Sequence, residues 1–205
     1  MNVGTITETR ESLREKIQND KKSLLPYERW ILSRLTDVIE KTTKGMEEYS
    51  FSLVGDDLVS FIRDEFADIA IEAFKIEKER SKLGKEVMSL CALEILALMH
   101  PYIPHITENL YGYITDGSIL ATNTWPIASL KRNIETEEAF EKISGIIRTI
   151  RNIRAESGIK PGDLRDVFII TNKLEEENIR ENTNLLTGLA KIQTLTIGEK
   201  PAKTK

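Results

Sequence analysis

The stretch Leu93–Tyr113, LEILALMHPYIPHITENLYGY, decides how the rest of the chain is read. Leu93, Leu96 and Met99, with Ile95 and Leu98 beside them, make a broad apolar face at helical spacing. Pro101 and Pro104 remove backbone donors, and a residue before proline disfavours the α region, so that helix ends there. After Pro104 the pattern restarts. Thr107 and Glu108 suit a first turn, and Ile106, Leu110 and Ile114 recur at four-residue steps. Two buried helices therefore meet at a corner built by prolines, with Leu110 expected to face the Leu93–Met99 helix.

Upstream of the corner, residues 1–25 are polar. A modest helical stretch from about Glu8 to Gln18 offers only Leu13 and Ile17, which reads as a lead-in. A firm helix opens at Pro26, a residue favoured at the first helical position, and keeps one apolar face from Trp30 to Met46. A second long helix is expected over Ser52–Arg80 and a third over Leu83–Met99. Between Thr115 and Asn133 the period vanishes, and Trp125-Pro126 reads as a strap across the bundle. Helix returns over Glu135–Glu156. A β-branched run at Val167–Thr171, a helix over Leu174–Ala190 and an alternating run at Gln193–Ile197 follow. The fold class expected is mostly α: a helical bundle over 26–157 with a small α/β (β-α-β) appendage over 158–198. The tail 199–205 is expected to be disordered.

Composition narrows the function. Charged residues make up 30% and hydrophobic ones 40%, with aromatics at 6%, so aliphatic helix packing carries the core. A net charge of −4 argues against a chain coated in lysine, though a local basic stripe remains compatible with it. One cysteine, Cys91, leaves no disulfide framework and fits a reducing, cytoplasmic compartment. No stretch reaches the roughly 18 apolar residues needed to span a membrane.

Catalysis has little to stand on. His100 and His105 flank the corner at a spacing that no single helix face brings together, so helix-end packing is preferred to a metal or acid–base role. Cys91 has no histidine nearby and reads as a buried thiol. No phosphate-cradling glycine loop occurs. Hence no catalytic residue and no metal ligand is assigned. One constellation stands out: Ile146–Pro161, IIRTIRNIRAESGIKP. Arg148, Arg151 and Arg154 recur every third residue as a slanted basic stripe, with Lys160 beyond the turn. They could follow a phosphate backbone, or pair with Glu137, Glu138, Glu141 and Glu156 on a solvated face.

Several of these stretches resemble valyl-tRNA synthetases of the class I aminoacyl-tRNA synthetases. The corner is similar to the HP-F/Y-x-PF-x-TE-x-LW signature of the bundle that follows their catalytic core. Glu28–Leu35 (ERWILSRL) resembles their DRWILSRL helix start, and Phe61–Lys75 (FIRDEFADIAIEAFK) follows F-x-WDEFCDWYIE-x-x-K. Ser118–Pro126 follows their strand-and-WP strap, and Ile146–Pro161 their IR-x-IR-x-IR-x-E segment followed by a Pro. The matches arrive in family order from about Leu25 to Ile197. Met1-Asn2 also resembles the end of a helix in the full enzymes, which implies a piece of a longer chain.

The resemblance implies an anticodon-binding helical bundle that holds the anticodon stem-loop of a tRNA, valine acceptor expected. A separate catalytic domain of the parent chain would join valine to the tRNA. Bases would lie near Arg63, Phe66, Ile69 and Lys75, and phosphates along Arg148, Arg151, Arg154 and Lys160. Departures bear on this. Arg63 replaces the usual Trp, Ala67 the usual Cys, Ile69-Ala70 the usual Trp-Tyr, and His105 the usual Phe. Loss of an aromatic removes a stacking surface of about 1–3 kcal/mol per base. With the acidic pI, near 5.5, this keeps a second reading open: a helical interaction module that no longer binds RNA. The family's His-Ile-Gly-His and KMSKS signatures do not occur here, so ATP is expected only in the catalytic domain and no cofactor in this chain. The 205-residue chain should accordingly show valine-dependent ATP–pyrophosphate exchange no faster than a no-protein blank; turnover above that blank would defeat this expectation.

Overall fold

The computed structural model describes residues 5–160, 162–171 and 173–198. Thr9 accepts a hydrogen bond from the Ser12 amide and starts α1 (Arg10–Asn19). A short 3₁₀ turn at Lys21–Ser23 leads to α2 (Pro26–Glu47), where the Glu28 carboxylate accepts from the Leu25 amide at 2.7 Å. That bond and Pro26 satisfy the helix start. Helix α3 (Phe51–Ser60) runs without a break into a π-helical segment, Phe61–Ala70, and on into α4 (Ile71–Glu77). Then come α5 (Gly84–Met99), α6 (Pro104–Ile114) and α7 (Ile134–Glu156). Strand β1 (Arg165–Ile169), α8 (Lys173–Glu181), α9 (Thr183–Ala190) and strand β2 (Ile192–Ile197) close the order.

The mostly-α class with a small α/β appendage is therefore observed. The strands pair in parallel, with Val167 opposite Leu195 and Ile169 opposite Ile197. Helix α2 is the hub, contacting α3, the π segment, α5 and α7. Its Trp30 ring stacks on Phe140 of α7 with centroids 4.5 Å apart. Gly45 of α2 lies so close to α3 that a Cβ there would come within 2.0 Å of Val54 Cγ2, so a side chain would push the helices apart. One continuous core runs from Ile6 through the bundle to Ile179, Leu185 and Leu189 of α8 and α9. Among the described residues no helix is long and apolar enough to cross a membrane.

Four expectations need correction. The lead-in is a packed helix: Leu13 and Ile17 of α1 are each 1% exposed, and Arg10 is buried with them. Two apolar residues one turn apart suffice because α1 lies along α5 and needs only a narrow seam. The long helix after Ser52 stops at Glu77 and carries the π segment. The helix expected over Leu174–Ala190 breaks at Asn182, whose side-chain amide donates to the Asn178 carbonyl at 2.9 Å, competing with the backbone ladder. Finally, α6 is turned by about one residue, some 100°. Thr107 and Tyr111 face inward, while Ile106 and Leu110 are exposed. The Thr107 hydroxyl sits 3.1 Å from the Ile103 and Pro104 carbonyls and 2.8 Å from His100 Nδ1, so its burial leaves nothing unsatisfied. The expectations for residues 1–2 and 199–205 lie outside the described residues.

The strap over residues 118–133 is pinned at both ends. The Trp125 indole donates to Thr43 Oγ1 of α2 at 2.8 Å, and the Glu108 carboxylate accepts from the Leu120 and Ala121 amides. At its far end Arg132 reaches Asp37 at 2.6 Å and Glu137 at 2.8 Å, and the Ser33 hydroxyl accepts from the Asn133 amide. Burial alone would raise the Glu137 carboxyl, but hydrogen bonds from Arg132 and Ser33 outweigh it and hold the pKa below the usual carboxylate range.

Two measurements check this fold. Leu110→Ala should change unfolding free energy by no more than about 0.5 kcal/mol, whereas Tyr111→Ala should cost on the order of 3–5 kcal/mol; the reverse ranking in urea unfolding would mean α6 faces the other way. For Glu137 the depressed pKa places its contribution above the unfolded value, about 4.3, and loses it as pH falls through the lower native value. In urea titrations across pH, the stability gap between wild type and Arg132→Gln should therefore narrow on acidification. A gap that stays constant would show that Arg132 does not act through this carboxylate.

Candidate nucleic-acid interface

The candidate RNA face is made where the C-terminal half of α7 packs on α9 and reaches the π segment through Arg151 and Asp68. Asn133 caps α7 by accepting from the Thr136 amide, and Phe140, Ile143, Ile147 and Ile150 anchor the helix in the core. The arginines at three-residue steps then emerge along its flank. Arg148 is exposed and pairs with Glu141 at 2.8 Å. Arg151 is half-buried, with Nη1 at 3.0 and 2.9 Å from the two Asp68 oxygens and Nε donating to the Leu189 carbonyl at 3.1 Å. Arg154 donates to three backbone carbonyls, those of Lys191, Lys160 and Asp163, at 3.0 to 3.1 Å. Lys191 has a left-handed backbone (φ 53°) as it caps α9, and Arg154 holds that turn against the loop after α7.

The stripe is thus divided by function. Arg151 and Arg154 tie α7 to the π segment, α9 and the appendage. The Arg148 ion pair among the described residues is with an exposed acid, and such pairs are weak and easily exchanged. The Lys160 side chain is exposed beside the Arg154 clamp, without an ion pair among the described residues.

The π segment presents the other half. Its buried residues fall at Phe61, Phe66 and Ile69-Ala70, steps that suit a wider helical turn, leaving Arg63, Asp64 and Asp68 outward. Phe66 and Ile69, expected near bases, are core residues at 8% and 1% exposure; they brace the segment and offer no stacking face. Arg63 is exposed and bonds Asp64 through both Nε and Nη2. The Arg63 guanidinium holds the Asp64 carboxyl below the usual carboxylate range, and Arg148 adds to the effect, so the two arginines flank one acid. Lys75 lies further along on α4, paired with Glu72 at 2.6 Å.

Sequence reasoning missed Asp64 and Asp68 as partners. Their four-residue spacing in FIRDEFADIA was the available signal, but which helix they face is a tertiary fact. Of the acids weighed for the stripe, Glu141 takes Arg148, whereas Glu137 serves Arg132 and Arg34. His100 contacts Thr107 at the corner, His105 is exposed, and burial pushes the Cys91 thiol far above its ordinary value, leaving an inert side chain. Among the described residues no cluster of three or more His, Cys, Asp or Glu could hold a metal ion.

Comparison with known proteins bears on this face. Residues 28–169 match the family model of the anticodon-binding domain of tRNA ligase. The chain is 32% identical over 191 residues to the valine–tRNA ligase of Fusobacterium nucleatum subsp. nucleatum, covering 86% of this chain and 22% of that protein. It is 31% identical over 186 residues to the valine–tRNA ligase of Synechocystis sp., covering 83% and 20%. Against that of Thermosynechococcus vestitus it is 34% identical over 188 residues, covering 87% and 20%. The chain thus spans about a fifth of the length of these curated relatives. The resemblance to valyl-tRNA synthetases stands, and with the family model covering the bundle from α2 to β1, the chain belongs to the anticodon-binding domain family of tRNA ligases.

Proposed function

We propose that this chain holds the anticodon arm of a tRNA, valine acceptor, so that a catalytic domain of the same parent chain can aminoacylate it in the cytoplasm. The observation that carries this reading is the family match across residues 28–169, which includes every element of the arginine face up to β1. No cofactor is required in this chain for that role, ATP being used by the catalytic domain. Splayed loop bases would be read at the π segment and α4 by Arg63 and Lys75, and flanking phosphates held by Arg148 and Lys160. Phe66 and Ile69 support these positions from beneath, while Arg151 and Arg154 set the angle between α7 and the appendage. An approaching phosphate would exchange with Glu141 on Arg148 and with Asp64 on Arg63, both exposed acids.

A second reading, an interaction module without RNA binding, gains support from these same ion pairs, because Arg63, Arg148 and Arg151 each already have an acidic partner. Filter binding of the chain to a valine-accepting tRNA over a salt series separates the two. Arg148→Gln and Arg63→Gln should each weaken binding and flatten log affinity against log salt by about one unit. Arg151→Gln should instead act mainly by lowering the melting temperature. Wild-type affinity and slope in both Arg148→Gln and Arg63→Gln would sink the RNA reading of this face.

A further inference from the structure

The opposite end of α7 carries a second concentration of positive charge. A groove of about 740 Å³ opens between the end of α1, the 3₁₀ turn, the first turns of α2 and the strap. Its walls carry Lys21, Lys22, Arg29 and Lys131, and its floor is apolar, with Leu24 and Leu32 buried. Among the described residues no ion pair reaches any of those four cations, although most of the other described arginines and lysines are paired. Arg132 also lines the groove, but Asp37 and Glu137 neutralise it. Glu135 is the one carboxylate among the lining residues. A chain with net charge −4 thus leaves four exposed cations facing one acid in a single concavity.

Such a concentration is unfavourable by itself and becomes favourable when a polyanion brings phosphates to it and releases counterions. The lysines sit on both sides, from the 3₁₀ turn and from the strap, as a backbone running along the groove requires. Thr136 at the groove and Arg151 at the arginine face are 15 residues apart on α7, which is about 23 Å along the axis. The two basic regions are therefore separate places that one extended ligand could touch together.

We infer that the groove between α1, α2 and the strap binds RNA phosphate backbone outside the anticodon arm, through Lys21, Lys22, Arg29 and Lys131. The inference takes its ligand, tRNA, from the reading above, but its place on the protein from the groove alone. The test uses the 205-residue chain with two probes: a whole valine-accepting tRNA, and a hairpin containing only its anticodon stem and loop. The triple variant K21Q/K22Q/K131Q should weaken binding of the whole tRNA roughly tenfold at low salt, and flatten its salt slope by about two to three units. Hairpin binding should be unchanged. A control with equal charge loss outside both the groove and the arginine face, K44Q/K82Q/K85Q, should have a much smaller effect, and melting temperatures of both variants should match wild type. If the whole tRNA binds and depends on the three lysines while the hairpin does not bind at all, the anticodon reading fails and the groove stands. The groove is overturned by unchanged whole-tRNA affinity and slope, by an equal loss in the control, by an equal loss on the hairpin, or by no binding of either RNA to wild type.

Discussion

Glu94 is the interaction on which the packing of the bundle depends. Its side chain is fully buried on α5, and an unpaired carboxylate there would cost several kcal/mol. Arg10 meets it at 3.0 Å and Arg14 from the next turn of α1, and Arg10 also bonds both the carbonyl and the hydroxyl of Thr124 in the strap. Burial pushes the Glu94 carboxyl upward in pKa, and the two guanidiniums oppose that. A single buried charge therefore fixes where α1 lies on α5 and where the strap crosses. Removing one partner of such a pair costs on the order of 3–5 kcal/mol, because the other is left buried and uncompensated.

A second polar network repeats the logic on the other side of α2. Arg34 bonds Glu65 of the π segment at 2.7 Å and Asp37 at 2.9 Å, and Arg132 brings the strap to Asp37 and Glu137. The π segment is thereby joined to α2, to the strap and to the start of α7. Since the arginine face is built on the π segment and α7, its geometry depends on this network together with the Arg151 and Arg154 clamps.

Charge in this chain serves two ends that compete for the same residue type. Arginines that bond backbone carbonyls across elements, such as Arg151 and Arg154, hold those elements together and have few donors left for a ligand. Arginines paired with exposed acids, such as Arg63 and Arg148, keep their charge exchangeable. Lysines without an ion pair among the described residues, as in the α1–α2 groove, cost the fold nothing in geometry and are open to electrostatic work.

Much was legible in the sequence because local chemistry dictated it. Pro26 and Pro104 set helix starts, the proline corner separated α5 from α6, and the apolar faces of α2, α5 and α7 follow from their spacing. The two β-branched runs became β1 and β2 to within two residues at each end. What the sequence left open were choices between equivalent patterns. Helix α6 has two inward series available; the threonine-bearing one is buried because Thr107 finds carbonyls and His100 at the corner. Helix α1 looked too polar to pack until Glu94, 80 residues away, supplied the partner for Arg10 and Arg14. Which arginines of the stripe are clamps and which are exposed depends on where Asp68, Leu189 and Lys191 fall in space. Sequence by itself determined the elements and their apolar faces, since those arise within a turn or two of chain. Tertiary structure decided the partners of the charged groups, since a charge is settled by whatever lies within a few ångströms, however distant in sequence.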